Sequence, residues 1–281
     1  MARVDLRWSD RDLARPALDV LVRLVALTDN AFEAGALDDF LMRPGADGSW
    51  VWEGDVPDGF RSAYQICPVR DRPLRGHPVD EARWQQVIAL GEPDPAADDT
   101  LPAGCTFGAG DQPASVLSMP GAPPQPWARR RGREPAAVTD RLALAHGGVA
   151  MVQAPADREA PSALVVLFDG VSMQTIGVPE TIANLQSDGI VGPVTAVYVE
   201  SIRGSAPRGP SRVQSLTDRS ELATFVIEEL VPALERNYVL DARPERRALA
   251  GHSLGGLAAL HVAALAPEVF GAVGVGSAAL W

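Results

Sequence analysis

Apolar and polar positions follow two different rhythms, and the rhythm changes near residue 120. In the first part, Phe60, Ser62, Tyr64 and Ile66 alternate with Arg61, Ala63 and Gln65. Period-two alternation predicts a half-buried strand. Asp19-Val-Leu-Val-Arg-Leu-Val-Ala-Leu27 is a β-branched run that predicts a second strand. Gly48-Ser-Trp-Val-Trp-Glu-Gly54 followed by Val56-Pro-Asp-Gly59 reads as strand then turn, with Asp58-Gly59 supplying the positive φ of a tight hairpin. Residues 1–119 are therefore expected to form a small antiparallel β-sandwich. The stretch from Asp94 to Asp111 has no period and predicts a long surface loop.

Residues 120–135 are rich in proline and contain a run of arginines, a composition that disfavours packing and predicts a linker. Beyond it, Val149-Ala-Met-Val152, Leu164-Val-Val-Leu-Phe168 and Val194-Thr-Ala-Val-Tyr-Val199 are short continuous apolar runs, as in strands covered on both faces of a parallel sheet. Asp218 with Glu221 forms a capping pair, after which Leu222, Phe225, Val226, Leu230 and Leu234 recur at helical spacing. Pro232 inside that pattern predicts a kink or an early end. Strands alternating with helices give residues 136–281 the expectation of a three-layer α/β domain.

Composition narrows the chemistry. The 281 residues include 36 acids and 25 bases, a net charge of −11, which works against binding nucleic acid or an anionic membrane surface. Every base is arginine and there is no lysine, so Schiff-base chemistry and a phosphate loop of the Gly-Lys-Ser/Thr type are excluded. Cys67 and Cys105 are too few and too far apart for a disulfide framework or a paired-cysteine metal site, and no histidine pair has ligand spacing. No cofactor and no metal are expected. Met1 to Arg15 lacks the apolar core of a leader, and no apolar run is long enough to span a bilayer. A cytoplasmic location is the expectation.

The informative segment is Gly251-His-Ser-Leu-Gly255. Its Gly-x-Ser-x-Gly spacing is that of a nucleophile elbow, in which small residues permit a sharp strand-to-helix turn that exposes the serine hydroxyl. The apolar run before it and the small residues Gly256, Ala258 and Ala259 after it supply the strand and the helix that the elbow needs. Ser253 is the candidate nucleophile; the bland alternative is a glycine-rich helix start. The N–H of Leu254 is one candidate oxyanion donor, and Gly170 or Val171, after the earlier run ending at Phe168, is the other. Asp169 is expected to hold that turn by hydrogen bonding.

The general base is harder to find. His77 belongs to the first part, His146 precedes a strand, and the His252 side chain should point away from Ser253. His261 is eight residues along the following helix, about 12 Å of rise away. In this fold class acid and histidine follow the serine in that order. After Ser253 only His261 and Glu268 remain, in the wrong order.

Taken together, Pro123-Pro-Gln-Pro-Trp127, Leu167-Phe-Asp-Gly170, Phe225-Val-Ile-Glu-Glu-Leu-Val-Pro232, Gly251–Leu260 and Gly276-Ser-Ala-Ala-Leu-Trp281 make the chain resemble the enterochelin (enterobactin) esterase family. The resemblance is closest over residues 115–281 and loose before them. It implies an α/β-hydrolase domain behind an antiparallel sandwich. It also implies cytoplasmic hydrolysis of the esters of a cyclic tri-serine catecholate siderophore, free or ferric, with iron travelling as part of the substrate.

The family's Arg-x-x-Glu-Leu segment near the substrate is matched by Arg212-Val-Gln-Ser215-Leu216, with serine replacing the glutamate; Arg208 is a rival for that arginine. Family members continue beyond the segment matching Trp281 and carry their histidine and acid there. The hydrolase domain is accordingly expected to be incomplete at its C-terminal end, or to have lost its base. Two other functions stay open: hydrolysis or transfer of other acyl groups, such as feruloyl or sugar esters, and siderophore binding without catalysis.

Overall fold

The computed structural model describes residues 1–103, 112–128, 140–144, 149–199 and 212–280. The chain divides into two compact units, Met1–Pro124 and Gln125–Trp281.

Among the described residues the first unit holds seven strands, β1 (Ala2–Trp8), β2 (Asp19–Leu24), β3 (Arg43–Pro44), β4 (Trp50–Val56), β5 (Arg61–Val69), β6 (Thr100–Leu101) and β7 (Ala114–Ser118), with helices α1 (Val25–Glu33) and α2 (Glu81–Ile88). They form two antiparallel sheets, ordered β1-β4-β3 and β2-β5-β7-β6. Val4, Leu6, Trp8, Trp52 and Val56 of the first sheet share one buried cluster with Val20, Val22, Leu24, Tyr64 and Ile66 of the second. That interleaving of inward side chains is the core of a sandwich.

Three expectations change here. Gly59 does have positive φ, but β4 and β5 lie in different sheets, so Asp58-Gly59 turns a corner between sheets and closes no hairpin. The run from Asp19 stops being a strand at Leu24. Thr28 Oγ1 accepts from Leu24 N–H (2.9 Å) and donates to Val22 O (3.1 Å), taking the bonds another strand would have offered and starting α1. Asp94, expected on a surface loop, is buried, accepting from Tyr64 OH at 2.8 Å.

Arg23 is also buried, in the middle of β2. Its Nε and Nη2 donate to Asp29 at 3.1 and 3.0 Å, and its guanidinium lies 5.9 Å from the Trp84 ring, which itself stacks on Phe32. A buried charge is tolerated when it is paired and laid on an aromatic face in this way.

The second unit contains β8 (Asp140–Ala143), β9 (Val149–Gln153), β10 (Ala163–Phe168), β11 (Val194–Val199), β12 (Arg247–His252) and β13 (Ala272–Gly276). Its helices are α3 (Gly170–Thr175), α4 (Val178–Ser187), α5 (Arg212–Thr217), α6 (Arg219–Thr224), α7 (Val231–Asn237) and α8 (Leu254–Leu265). One sheet runs β8-β9-β11-β10-β12-β13. β10 to β13 are parallel, whereas β9 is antiparallel to both its neighbours, a departure from the all-parallel expectation. The five residues between β8 and β9 are too few for the crossover that a parallel pair requires.

Leu164, Val166 and Phe168 pack on one face with residues of α5 to α8, and Leu167, Ala196 and Tyr198 pack on the other with Met173 of α3 and Ile182 of α4. This is the three-layer architecture. The Asp218 cap is present, its side chain accepting from Glu221 N–H at 3.1 Å. Pro232 does not end the helix. Residues Phe225–Leu230 between α6 and α7 take the wider π form, and the chain stays helical to Asn237.

The structure pins the start of the expected linker. Trp127 Nε1 donates to Asp188 at 3.0 Å and Asn184 Nδ2 donates to Trp127 O at 2.7 Å, both on the end of α4. The arginine run that follows lies outside the described residues. No described helix is long and apolar enough to cross a membrane.

Candidate active site

β10 and β12 are adjacent and parallel, with Leu167 opposite Ala250, yet the chain leaves them in opposite directions along the sheet. β10 leads through α3 and α4 to β11; β12 leads through α8 to β13. Such a reversal of strand order opens a crevice at the carboxyl ends of the two strands, the preferred ligand site of open α/β sheets. Ser253 follows β12 directly at this position, and Asp169-Gly170 follows β10.

Ser253 has φ 54° and ψ −119°, a conformation costly for a residue with a side chain, and it immediately precedes α8. The sharp turn depends on absent side chains. A Cβ on Gly251 would collide with the backbone of Gly255 and lie 2.8 Å from Gly256 N, and a Cβ on Gly255 would lie 2.8 Å from Asp169 Oδ2. Strand, loop and helix start thus meet at contact distance. Ser253 is partly exposed, and its Oγ has no hydrogen-bond partner among the described residues.

Leu254 is the first residue of α8, so its N–H precedes the helical ladder. Gly170 and Val171 open α3, behind Asp169 in a left-handed conformation at φ 57°. The structure therefore brings Ser253, Leu254 and Asp169-Gly170-Val171 to one crevice. Gly170 is required for a reason that sequence reasoning missed. A Cβ there would meet Tyr198 C at 2.7 Å and Val199 N at 2.8 Å, so the glycine lets α3 sit against β11. Asp169 is buried, and its side chain caps no N–H of α3.

The other predicted residues are placed less closely. Arg212 opens α5, which follows β11 in sequence and packs on α8; Arg208 and His146 lie outside the described residues. The ring of His252 packs on Gly276 of β13, since a Cβ on that glycine would lie 3.1 Å from His252 Cδ2. His261 is half-buried on α8, and burial together with the nearby Arg219 lowers its pKa. His77 is an exposed residue of the first unit. Cys67 is buried and reduced, its thiol pushed up to about 12 by desolvation, and Cys105 lies outside the described residues. Among the described residues no three His, Cys, Asp or Glu side chains form a group suited to a metal.

A doubly covered sheet with a serine at the strained strand-to-helix turn is the arrangement of an α/β-hydrolase domain. Residues 149–281 match the family model for a putative esterase, and residues 3–128 match that for the N-terminal domain of enterochelin esterase. The chain thus carries an N-terminal domain of the enterochelin esterase type ahead of an esterase domain. Its fold is similar to that of the ferric enterobactin esterase from Salmonella typhimurium, with a TM-score of 0.79 at 20% identity, covering 99% of this chain and 72% of that one. The enterobactin esterase from Shigella flexneri, crystallised in the presence of enterobactin, gives 0.76 at 21%, covering 99% and 71%. No curated protein matches the chain by sequence.

Proposed function

We propose that this chain is a cytoplasmic serine esterase acting on the ester bonds of a catecholate tri-lactone siderophore, free or ferric. The observation that carries the reading is the strained Ser253 at the mouth of the β10/β12 crevice, in a chain with these two domains. In the reaction Ser253 Oγ attacks the ester carbonyl and its proton passes to a base. The oxyanion is held by Leu254 N–H with Gly170 or Val171 N–H; the leaving hydroxyl takes up the proton and water then frees the acyl group. Arg212 or Arg208 would offer a planar fork to anionic catecholate oxygens. Siderophore binding without turnover is the second reading, since a fold does not by itself fix turnover.

Two measurements decide between them. Purified protein is offered enterobactin, its ferric complex and a feruloyl ester, and separately a fluorophosphonate probe with the labelled residue mapped by mass spectrometry. The esterase reading expects trilactone cleavage ahead of the feruloyl ester, and labelling at Ser253 that Ser253→Ala abolishes. Faster cleavage of the feruloyl ester would overturn the substrate assignment. Tight siderophore binding with neither cleavage nor labelling would overturn esterase activity of this chain.

A further inference from the structure

The described residues contain three non-glycine positions with positive φ: Asp169, Ser253 and Ser277. Each stands one position beyond the end of a strand, β10, β12 and β13, and these three strands are neighbours in the sheet. Gly251 pairs with Val275 and His252 with Gly276, so continuing the register sets Ser277 level with Ser253. Backbone strain concentrated in this way marks a functional site, and two of the three positions are already placed in it. The third has no role in the reading above.

The backbone around Ser277 holds both peptide groups of Ser253. Ser253 N–H donates to Gly276 O at 2.9 Å, and Ser253 O accepts from Ala279 N–H at 3.1 Å as well as from Leu257 N–H at 3.0 Å in α8. The left-handed turn at Ser277, φ 43°, is what lets the Gly276 carbonyl and the Ala279 N–H both face the same residue. The turn also packs closely on the start of α8. A Cβ on Gly256 would lie 3.4 Å from Ala278 Cα and 3.2 Å from Val275 Cγ1, and Gly276 lies under the His252 ring.

We propose that the turn Gly276–Ala279 is a clamp that sets the backbone of the nucleophile, and that Ser277 is its positioning residue. The peptide on each side of Ser253 is fixed from β13, so Oγ is aimed before substrate arrives. The proposal rests on Ser253 being the nucleophile, and accounts for the Gly276-Ser-Ala-Ala-Leu280 segment, to which the reaction assigns no other part.

The test compares the full chain with Ser277→Val, whose branched Cβ disfavours the left-handed turn, Ala279→Pro, which removes the donor, and Ser277→Gly, the conservative variant. Three quantities are read: the rate constant for fluorophosphonate labelling of Ser253, amide hydrogen exchange over residues 251–258, and the melting temperature. Misaiming the hydroxyl is expected to slow labelling by about tenfold or more in Ser277→Val and Ala279→Pro. Exchange over 251–258 should rise, melting should hardly move, and Ser277→Gly should restore both signals.

Unchanged exchange in Ser277→Val overturns the clamp, and raised exchange with unchanged labelling overturns its positioning role. If wild-type protein is not labelled at Ser253, the serine is not activated in this chain and exchange alone decides the clamp. If Ala279→Pro does not fold, the Ser277 pair decides.

Discussion

Left-handed backbone serves different ends in the turns of the first unit and at the mouth of the hydrolase sheet. In Met1–Pro124 every described residue with positive φ is a glycine, and three of them, Gly35, Gly48 and Gly76, have open space where a Cβ would go. At the mouth of the hydrolase sheet the same backbone is carried by Asp169, Ser253 and Ser277, while the glycines beside them, Gly251 and Gly255, lack a positive φ but have no room for a side chain. Gly35, Gly48 and Gly76 are there for their dihedral freedom, Gly251 and Gly255 for their missing volume. Strain on a residue with a side chain persists only where the surrounding contacts enforce it, which is why the second pattern points to chemistry and the first to turns.

This contrast can be broken at several levels. The largest effect is expected from Ser253→Ala, with complete loss of covalent labelling and of ester cleavage; hydrolysis that survives would move the nucleophile elsewhere. Next, Gly251→Ala forces apart backbone atoms of strand and helix and should cost about 3 kcal/mol or more by denaturant unfolding. Gly35→Ala meets no atoms and should cost only about 1 kcal/mol, the price of an alanine at positive φ. Equal losses at the two positions would erase the distinction.

The two units should also part company in acid. In the first, Asp10 takes two hydrogen bonds from Arg70, at 2.9 and 2.8 Å, and its carboxyl is held down at about 2 instead of 3.8. Because the folded-state value is the lower one, this stability is complete above pH 4 and lost as pH falls from there towards 2. After allowance for screening it amounts to about 1–2 kcal/mol. In the second, His261 is lowered by burial and by Arg219, so the unfolded chain takes up its proton first. That unit should weaken slightly as pH falls below about 6.5, and His261→Gln should remove the dependence. Unfolding followed by hydrogen exchange in each unit between pH 7 and pH 3 would separate the two effects; a first unit that weakens already near pH 6 would contradict the assignment.

Much of the second unit was legible because its signals are local. The runs that became β10 and β11, the Asp218 cap and the Gly251–Gly255 elbow each depend on residues close in sequence. What escaped depends on distant pairing. Nothing in Gly48–Gly59 says that the strand before Asp58 and the strand after it join different sheets. The need for glycine at 170 comes from β11, some thirty positions away. Ser277 was missed because its meaning comes from standing level with Ser253, which exists only once β12 and β13 pair. Thr28 could have been found, since a threonine four residues past a strand end can take up the strand's last free N–H.

The wide turn between α6 and α7 has a consequence for how this chain tolerates changes in length. Leu222, Val226, Leu230 and Leu234 are all fully buried although they recur strictly every fourth residue. In a regular helix of 3.6 residues per turn such a row would drift by about 120° over its length. The π segment absorbs that drift, acting as one extra residue, and it carries the chain past Pro232, which a regular helix would not accommodate without a kink. Deletion of the exposed Glu228 should therefore be accepted only together with Pro232→Ala. Either change alone should lower the melting temperature more than the pair, so insertion and proline are coupled and would be gained or lost as one event.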